Sequence, residues 1–307
     1  MEIGTGIPHT GRLASPDYIR EFCITAEEAG WDGLWGIDHM VMPQHTESLY
    51  TLARKPAPIG DNAVSGLLSP NYEMMSTLLW VAGFTSRVKL GTAVAVLTIR
   101  NAVMNARQLA TLDVFSGGRV LYGIGVGWLK EEADAMNMPW DNRGKRADEH
   151  IEMMRAIWTA PGDIMEWHGP YFDLPPMDPA PQPIQKPIPI LIGGHSDPAL
   201  DRAARIGDGW IAASMSPDRF VEHRDKLFRL TESYGRDPSK LILVNSTGVK
   251  VEGPEVSASE AAEITAAMQT YASLGVHHLN VSTGATDRAT ALSRLVSLGS
   301  RVLPGID

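Results

Sequence analysis

Short apolar runs alternate with longer stretches of helical periodicity from one end of the chain to the other, and the alternation predicts eight strand–helix units. The predicted strands are residues 3–7, 33–37, 88–96, 119–127, 188–192, 209–212, 241–251 and 278–281. The predicted helices are 16–29, 72–84, 101–115, 145–158, 198–206, 217–234, 257–274 and 287–303. The first helix is the best punctuated: Ser15 stands as N-cap, Pro16 at the first helical position and Gly30 just past the end. The strands are short, apolar and rich in β-branched residues, as strands buried on both faces of a parallel sheet must be. A doubly wound open sheet also alternates in this way. Eight units in 307 residues with no signature of a second domain favour an α/β fold of the closed (β/α)8 TIM-barrel kind, with residues 1–307 as one domain.

Two stretches break the rhythm. Residues 38 to about 70 carry several prolines and glycines without periodicity, and residues 161–189 hold Pro175, Pro176, Pro179, Pro181, Pro183 and Pro187. Loops of that length are usually functional. They are read as insertions after strands 2 and 4, both on the C-terminal face, which carries the active site in such barrels.

Composition narrows the picture without redirecting it. The formal charge of -9, with no basic cluster, argues against nucleic-acid binding. Cys23 is the single cysteine and lies in a helical pattern, so it reads as a small core residue. Neither a signal peptide nor an apolar run long enough for a membrane span is found, and a cytoplasmic setting without membrane contact is expected.

Candidate chemistry gathers at the strand ends. Strand two closes on Asp38 and His39, two ionisable groups that need a partner or a task next to an apolar run. Joining them at the mouth would be His9, the 91–96 segment with Thr92, Ala93 and Val94, the turn from Val126 to Trp128, Gly193-Gly194-His195-Ser196 and the turn holding Met215. Acids are scarce and no close His-x-His pair occurs, so no metal site is assigned. Ser214, Ser216 and Ser246 lack a glycine-flanked nucleophile elbow. Gly193 and Gly194, between a strand and a helix that opens on Ser196-Asp197-Pro198, form a candidate anion cradle. In Gly123-x-Gly125-x-Gly127 the glycines lie within the strand, so they are read as sites of close backbone packing, not as a dinucleotide turn.

The ordered set of motifs resembles the luciferase-like monooxygenase superfamily of flavin and deazaflavin oxidoreductases over essentially the whole chain. It comprises Ala29-Gly30-Trp31-Asp32-Gly33-Leu34-Trp35 leading to Asp38-His39, Leu90-Gly91-Thr92-Ala93-Val94, Gly118-Arg119-Val120, and Gly123-Ile124-Gly125-Val126-Gly127-Trp128. It continues through Arg143, Arg146, Asp148 and Glu149 before Trp158, Pro189-Ile190-Leu191-Ile192-Gly193-Gly194, and Gly207-Asp208-Gly209-Trp210. The resemblance implies a non-proline cis peptide at Ala93–Val94 against the cofactor ring, with Asp38 holding the cofactor and His39 beside its reacting edge. Thr92, Val126, Gly193, Gly194 and His195 complete the implied cofactor contacts. The Asp-His pair resembles the branch that uses coenzyme F420, with FMN as the alternative cofactor. Hydride transfer at the deazaflavin C5 follows, with His39 as proton donor or electrostatic partner.

Two departures from the F420-dependent sugar-phosphate dehydrogenases matter. Trp128 stands where that branch has a Glu, and its phosphate-binding Lys is replaced near Ser216. A sugar phosphate is therefore disfavoured, and His9, Trp128, Trp210 and Met215 are expected to line a pocket for an apolar or aromatic small molecule. The resemblance also implies a homodimer. The FMN alternative, a monooxygenase using reduced flavin and oxygen, would need a partner reductase; a non-catalytic flavin-binding relative is the third possibility.

Overall fold

The computed structural model describes residues 1–43, 46–50, 55–56 and 69–306. Eight parallel strands close into a barrel: β1 (Glu2–Gly6), β2 (Gly33–Gly36), β3 (Lys89–Thr92), β4 (Val120–Gly125), β5 (Ile190–Gly193), β6 (Gly209–Ile211), β7 (Ile242–Gly248) and β8 (His278–Ser282). Each pairs with its neighbours in sequence, and β8 returns to β1 in the register Glu2↔His278 to Gly4↔Asn280. The helices are α1 (Pro16–Glu28), α2 (Met74–Ala82), α3 (Ala102–Ser116), α4 (Arg143–Thr159), α5 (Asp197–Ile206), α6 (Pro217–Ser233), α7 (Ala258–Ser273) and α8 (Arg288–Arg301). This is the (β/α)8 barrel that the alternation predicts. The α1 start also falls as expected, with the Ser15 side chain accepting from Tyr18 N–H.

Two apolar layers hold the barrel together. One lies between strands and helices and includes Trp31, Leu109, Trp158 and Leu298, with Cys23 fully buried among them. Burial pushes the Cys23 thiol well above its ordinary range, so it packs as an apolar group. The other fills the barrel itself with Trp35, Leu121, Leu191, Ile211 and Val244. The Trp35 indole needs the space of two side chains: a Cβ on Gly4 or on Gly91, in the strands flanking β2, would collide with it. Gly123 likewise sits against the Thr92 carbonyl, the close packing expected of the strand-four glycines.

The second irregular stretch is placed differently from expectation. Residues 161–189 follow α4, not β4, so they leave from and return to the N-terminal end of the barrel. There the Gln185 side chain donates to Val120 O, at the first residue of β4, and to the Asp113 carboxylate. The stretch contains an antiparallel hairpin, Met165–His168 with Asp173–Met177. Helical spacing alone did not reveal that the turn after β4 holds a short helix of its own, Lys130–Ala135, on the C-terminal face. The first irregular stretch does follow β2, and much of it lies outside the described residues.

The hairpin leans on α4 through His150, whose buried ring meets Phe172 edge-on at 5.6 Å. Burial, aided by Arg146 and Arg100, lowers this imidazole to about 3. An unfolded chain takes up a proton at about 6.5, so between there and about 3 only the unfolded state is protonated. Folding stability therefore falls as pH drops through that window, by up to about 1.4 kcal/mol per pH unit from this group. Urea unfolding from pH 6.5 to 4 is expected to show a shallower acid slope in His150→Gln; equal slopes would exclude His150 as the source.

Candidate active site

The C-terminal end of β2 turns at Ile37 into the Asp38-His39 pair, and the two side chains go separate ways. Asp38 faces inward, its side chain 1% exposed and that of its partner Arg100 5%. Asp38 Oδ1 accepts from Arg100 Nη2 at 2.7 Å, and Oδ2 accepts from Arg100 Nε at 3.0 Å and from Val96 N at 2.9 Å. Both oxygens are thus committed to the protein, and Asp38 holds the β3 end in place. The cofactor contact that the resemblance implies for Asp38 would have to be made beside these three bonds. Burial by itself would lower the Arg100 guanidinium, but the charge and hydrogen bonds of Asp38, helped by Tyr122 and Glu73, together outweigh it and hold Arg100 above its ordinary range. Glu73, which also caps α2 by accepting from Met75 N and Ser76 N, takes a second bond from Arg100 Nη2 at 3.1 Å.

His39 is held by a residue that no motif singled out. Its Nδ1 lies 3.0 Å from Glu132 Oε2 on the short helix 130–135, and its ring meets Trp128 edge-on at 5.8 Å. Glu132 Oε1 accepts from Met40 N and Val41 N. The neighbouring Glu131 accepts from Glu47 N and from the Ser48 hydroxyl, both at 2.7 Å. The turn after β4 therefore clamps the chain leaving β2.

Strand three interrupts itself beside this pair. After Thr92, whose hydroxyl donates to Gly123 O, comes a cis Ala93–Val94 peptide, at the position the resemblance implies. The strand then resumes as Ala95–Val96 against Ile124–Gly125. Val94 reaches across to β5: a Cβ on Gly193 would lie 2.6 Å from Val94 Cγ1, and Gly194 has a φ of +110°. Beyond them Ser196 caps α5 without a side-chain hydrogen bond, so the first turn of α5 begins beside the glycine pair. His195 is half-buried, 6.0 Å from the His223 ring. Val126 is half-buried and its carbonyl accepts from the Thr98 hydroxyl.

Three of the four residues expected to line the substrate pocket serve other purposes. Trp210 is fully buried, stacked on Phe220, and its indole N–H donates to Gly194 O, so it supports the glycine pair from beneath. Met215 is buried too, its backbone fixed on both sides by Asn245. His9 is 1% exposed, with Nδ1 3.0 Å from Ile7 O and Nε2 2.9 Å from Ile37 O. It braces the turn into Asp38. Trp128 alone stays beside the pair. A cavity of about 590 Å³ lies over β1, β7 and β8, lined by Thr5, Arg12, Ser246 and Asn280 together with Leu13, Tyr18 and Phe22 among others. Pro8 and Thr10 are in its wall, so it adjoins the His9 brace.

Arg100, Glu73 and Glu132 were missed by sequence reading. Only Arg100 had a visible signal, a lone cation closing the apolar run that ends strand three, complementary to an acid at the end of strand two. Among the described residues no group of three His, Cys, Asp or Glu side chains could hold a metal ion, and no helix is long and apolar enough to cross a membrane.

Comparisons with known proteins bear on the family and the fold. An uncharacterized protein of Mycobacterium tuberculosis is 34% identical over 230 residues, 74% of this chain and 76% of that one. The F420-dependent glucose-6-phosphate dehydrogenase of Amycolatopsis mediterranei is 27% identical over 252 residues, 74% of this chain and 68% of that one. An F420-dependent secondary alcohol dehydrogenase, solved with an F420-acetone adduct, superposes with a TM-score of 0.77 at 18% identity, covering 100% of this chain and 99% of that one. Residues 1–298 match the family model described as luciferase-like monooxygenase, and the chain belongs to that family.

Proposed function

We propose that this protein is a coenzyme F420-dependent oxidoreductase that moves a hydride between the deazaflavin and a small organic molecule. The observation that carries the reading is the contact between Val94, at the break in β3, and Gly193, at the start of the glycine pair. It sets an apolar wall for a flat ring beside the close turn from the glycine pair into α5, whose N-terminus suits an anion, while Gly194 N itself donates to Ile211 O at 3.2 Å. A Cβ at Gly193 would fill that junction, so the residues present fit a flat cofactor with a phosphate tail.

When bound, the deazaflavin supplies a carbon that accepts or releases hydride. The remaining work falls to the chain. The N-terminus of α5 holds the phosphate, Gly193 and Gly194 leave the room for it to approach, and Ala93, Val94 and Val126 wall the ring. Asp38 and Arg100 hold the β3 break in register, and Glu132 orients His39. His39 moves the proton that balances the hydride, since imidazole is the side chain suited to that exchange near neutral pH.

Trp210 and Met215, two of the groups that suggested an apolar pocket, are core, and the adjoining cavity is of mixed character, with hydroxyl, amide and arginine groups beside Leu13, Tyr18 and Phe22. The family description favours a second reading, an FMN-dependent monooxygenase that draws reduced flavin from a partner reductase. Parallel fluorescence titrations with F420 and FMN separate the two. Micromolar F420 binding with at least tenfold weaker FMN binding is expected, and Gly193→Val is expected to abolish the F420 signal. Micromolar FMN binding without F420 binding would reverse the assignment.

A further inference from the structure

Glu132 does two things at once, and together they constrain the chemistry of His39. Its side chain is 2% exposed. Oε1 accepts from two backbone donors, Met40 N and Val41 N, so that oxygen is fixed on the loop leaving β2. Oε2 is thereby left for His39 Nδ1 at 3.0 Å. An ionised carboxylate can only accept hydrogen bonds, so Nδ1 must be the donor. A neutral imidazole carries one N–H, and if Nδ1 holds it, Nε2 on the far side of the ring keeps its lone pair.

We propose that Glu132 is the positioning residue that locks His39 in the Nδ1–H tautomer, leaving Nε2 as the nitrogen that takes up a proton during turnover. The proposal deepens the oxidoreductase reading and rests on its placement of His39 at the reacting edge. It also explains why the short helix 130–135 sits on the C-terminal face. The helix brings Glu132 under the imidazole and Glu131 onto Ser48, so one turn of chain after β4 fixes both the ring and the loop that carries it.

The arrangement makes an amide an informative replacement. In Glu132→Gln the side-chain oxygen must stay on Met40 N and Val41 N, because the reverse orientation sets an NH2 group against two N–H donors. The NH2 then faces His39, where it can only donate. Nδ1 is forced to accept, and the tautomer reverses to Nε2–H. A role confined to anchoring the loop predicts no such reversal, since the oxygen that anchors it is retained.

The test is 15N NMR of histidine-labelled protein, recorded without cofactor on the alkaline side of the imidazole titration and assigned by the loss of signals in His39→Gln. The wild-type protein is expected to show a pyrrole-type Nδ1 and a pyridine-type Nε2. Glu132→Gln is expected to show the opposite pattern with unmoved Met40 and Val41 amide signals, whereas Glu132→Ala moves those signals. With F420 bound, Glu132→Gln is expected to keep affinity within about threefold and to lose about 10²- to 10⁴-fold in hydride-transfer rate, as when a histidine's orienting carboxylate becomes an amide. An Nε2–H tautomer in the wild type, or an unchanged tautomer in Glu132→Gln, would overturn the proposal. The wild-type spectrum decides even where the variant fails to fold. If F420 binds neither protein, the cofactor assignment fails while the tautomer comparison still decides the role of Glu132.

Discussion

Arg100→Met is expected to cost about 3–5 kcal/mol of folding stability, because it strands the Asp38 carboxylate in the interior without its counter-charge. The magnitude follows from burial on both sides: neither side chain reaches solvent appreciably, and three of the carboxylate's hydrogen bonds come from two neighbours, Arg100 and Val96. Removing the cation leaves the charge with Val96 N alone. The double variant Asp38→Leu/Arg100→Met is expected to recover a large part of the loss, since an apolar pair of similar volume no longer pays for desolvation. Urea unfolding of the wild type, both single variants and the double variant measures the coupling directly. Additive effects in that cycle would mean that the two side chains do not depend on one another. The same substitution is expected to weaken cofactor binding, because Asp38 holds Val96 and with it the resumption of strand three after the Ala93–Val94 peptide.

His39→Ala is expected to reduce the single-turnover rate of deazaflavin reduction or reoxidation by about 10²- to 10⁴-fold, the range for loss of a positioned acid–base group. It also removes the donor facing Glu132 Oε2, a buried oxygen, at a cost of about 1–3 kcal/mol in stability. His39→Gln separates the two effects. Its amide NH2 can donate to Glu132, so stability is expected to return toward wild type while the rate does not. Unchanged turnover in both variants would remove His39 from the reaction and leave it a structural link between the β2 and β4 turns.

Much of the architecture was legible in the chain because it depends on local regularities. The barrel follows from a period: apolar runs bounded by turn residues, then helical spacing, repeated eight times. The N-cap of α1, the fully buried cysteine and the packed strand-four glycines follow from side-chain size and local hydrogen bonding. The cis Ala93–Val94 peptide had no such basis; it came from the ordered motifs that resemble the family. The placement of residues 161–189 was misjudged because spacing reveals that a loop is long without telling which end of the barrel it covers. That depends on whether the loop follows a strand or a helix. Here α4 intervenes.

The site divides along the same line. Sequence alone marked Asp38 and His39 as ionisable groups at the end of a buried strand, because charge beside an apolar run is visible without coordinates. It marked Gly193 and Gly194 for the same reason, as flexible residues between a strand and a helix. It could not say where a side chain turns. Asp38 faces Arg100, which is 62 positions away, and His39 faces Glu132, 93 positions away. Trp210 and Met215 have the composition of pocket residues and the environment of core. Only the pairing of β2 with β3 and of β3 with β4 brings their ends side by side, and only that pairing determines which polar group each charge meets. Hydrophobic periodicity is a property of neighbouring residues and survives in a linear reading. Pairing of buried charges is a property of distance in the folded chain, and the tertiary structure alone decides it.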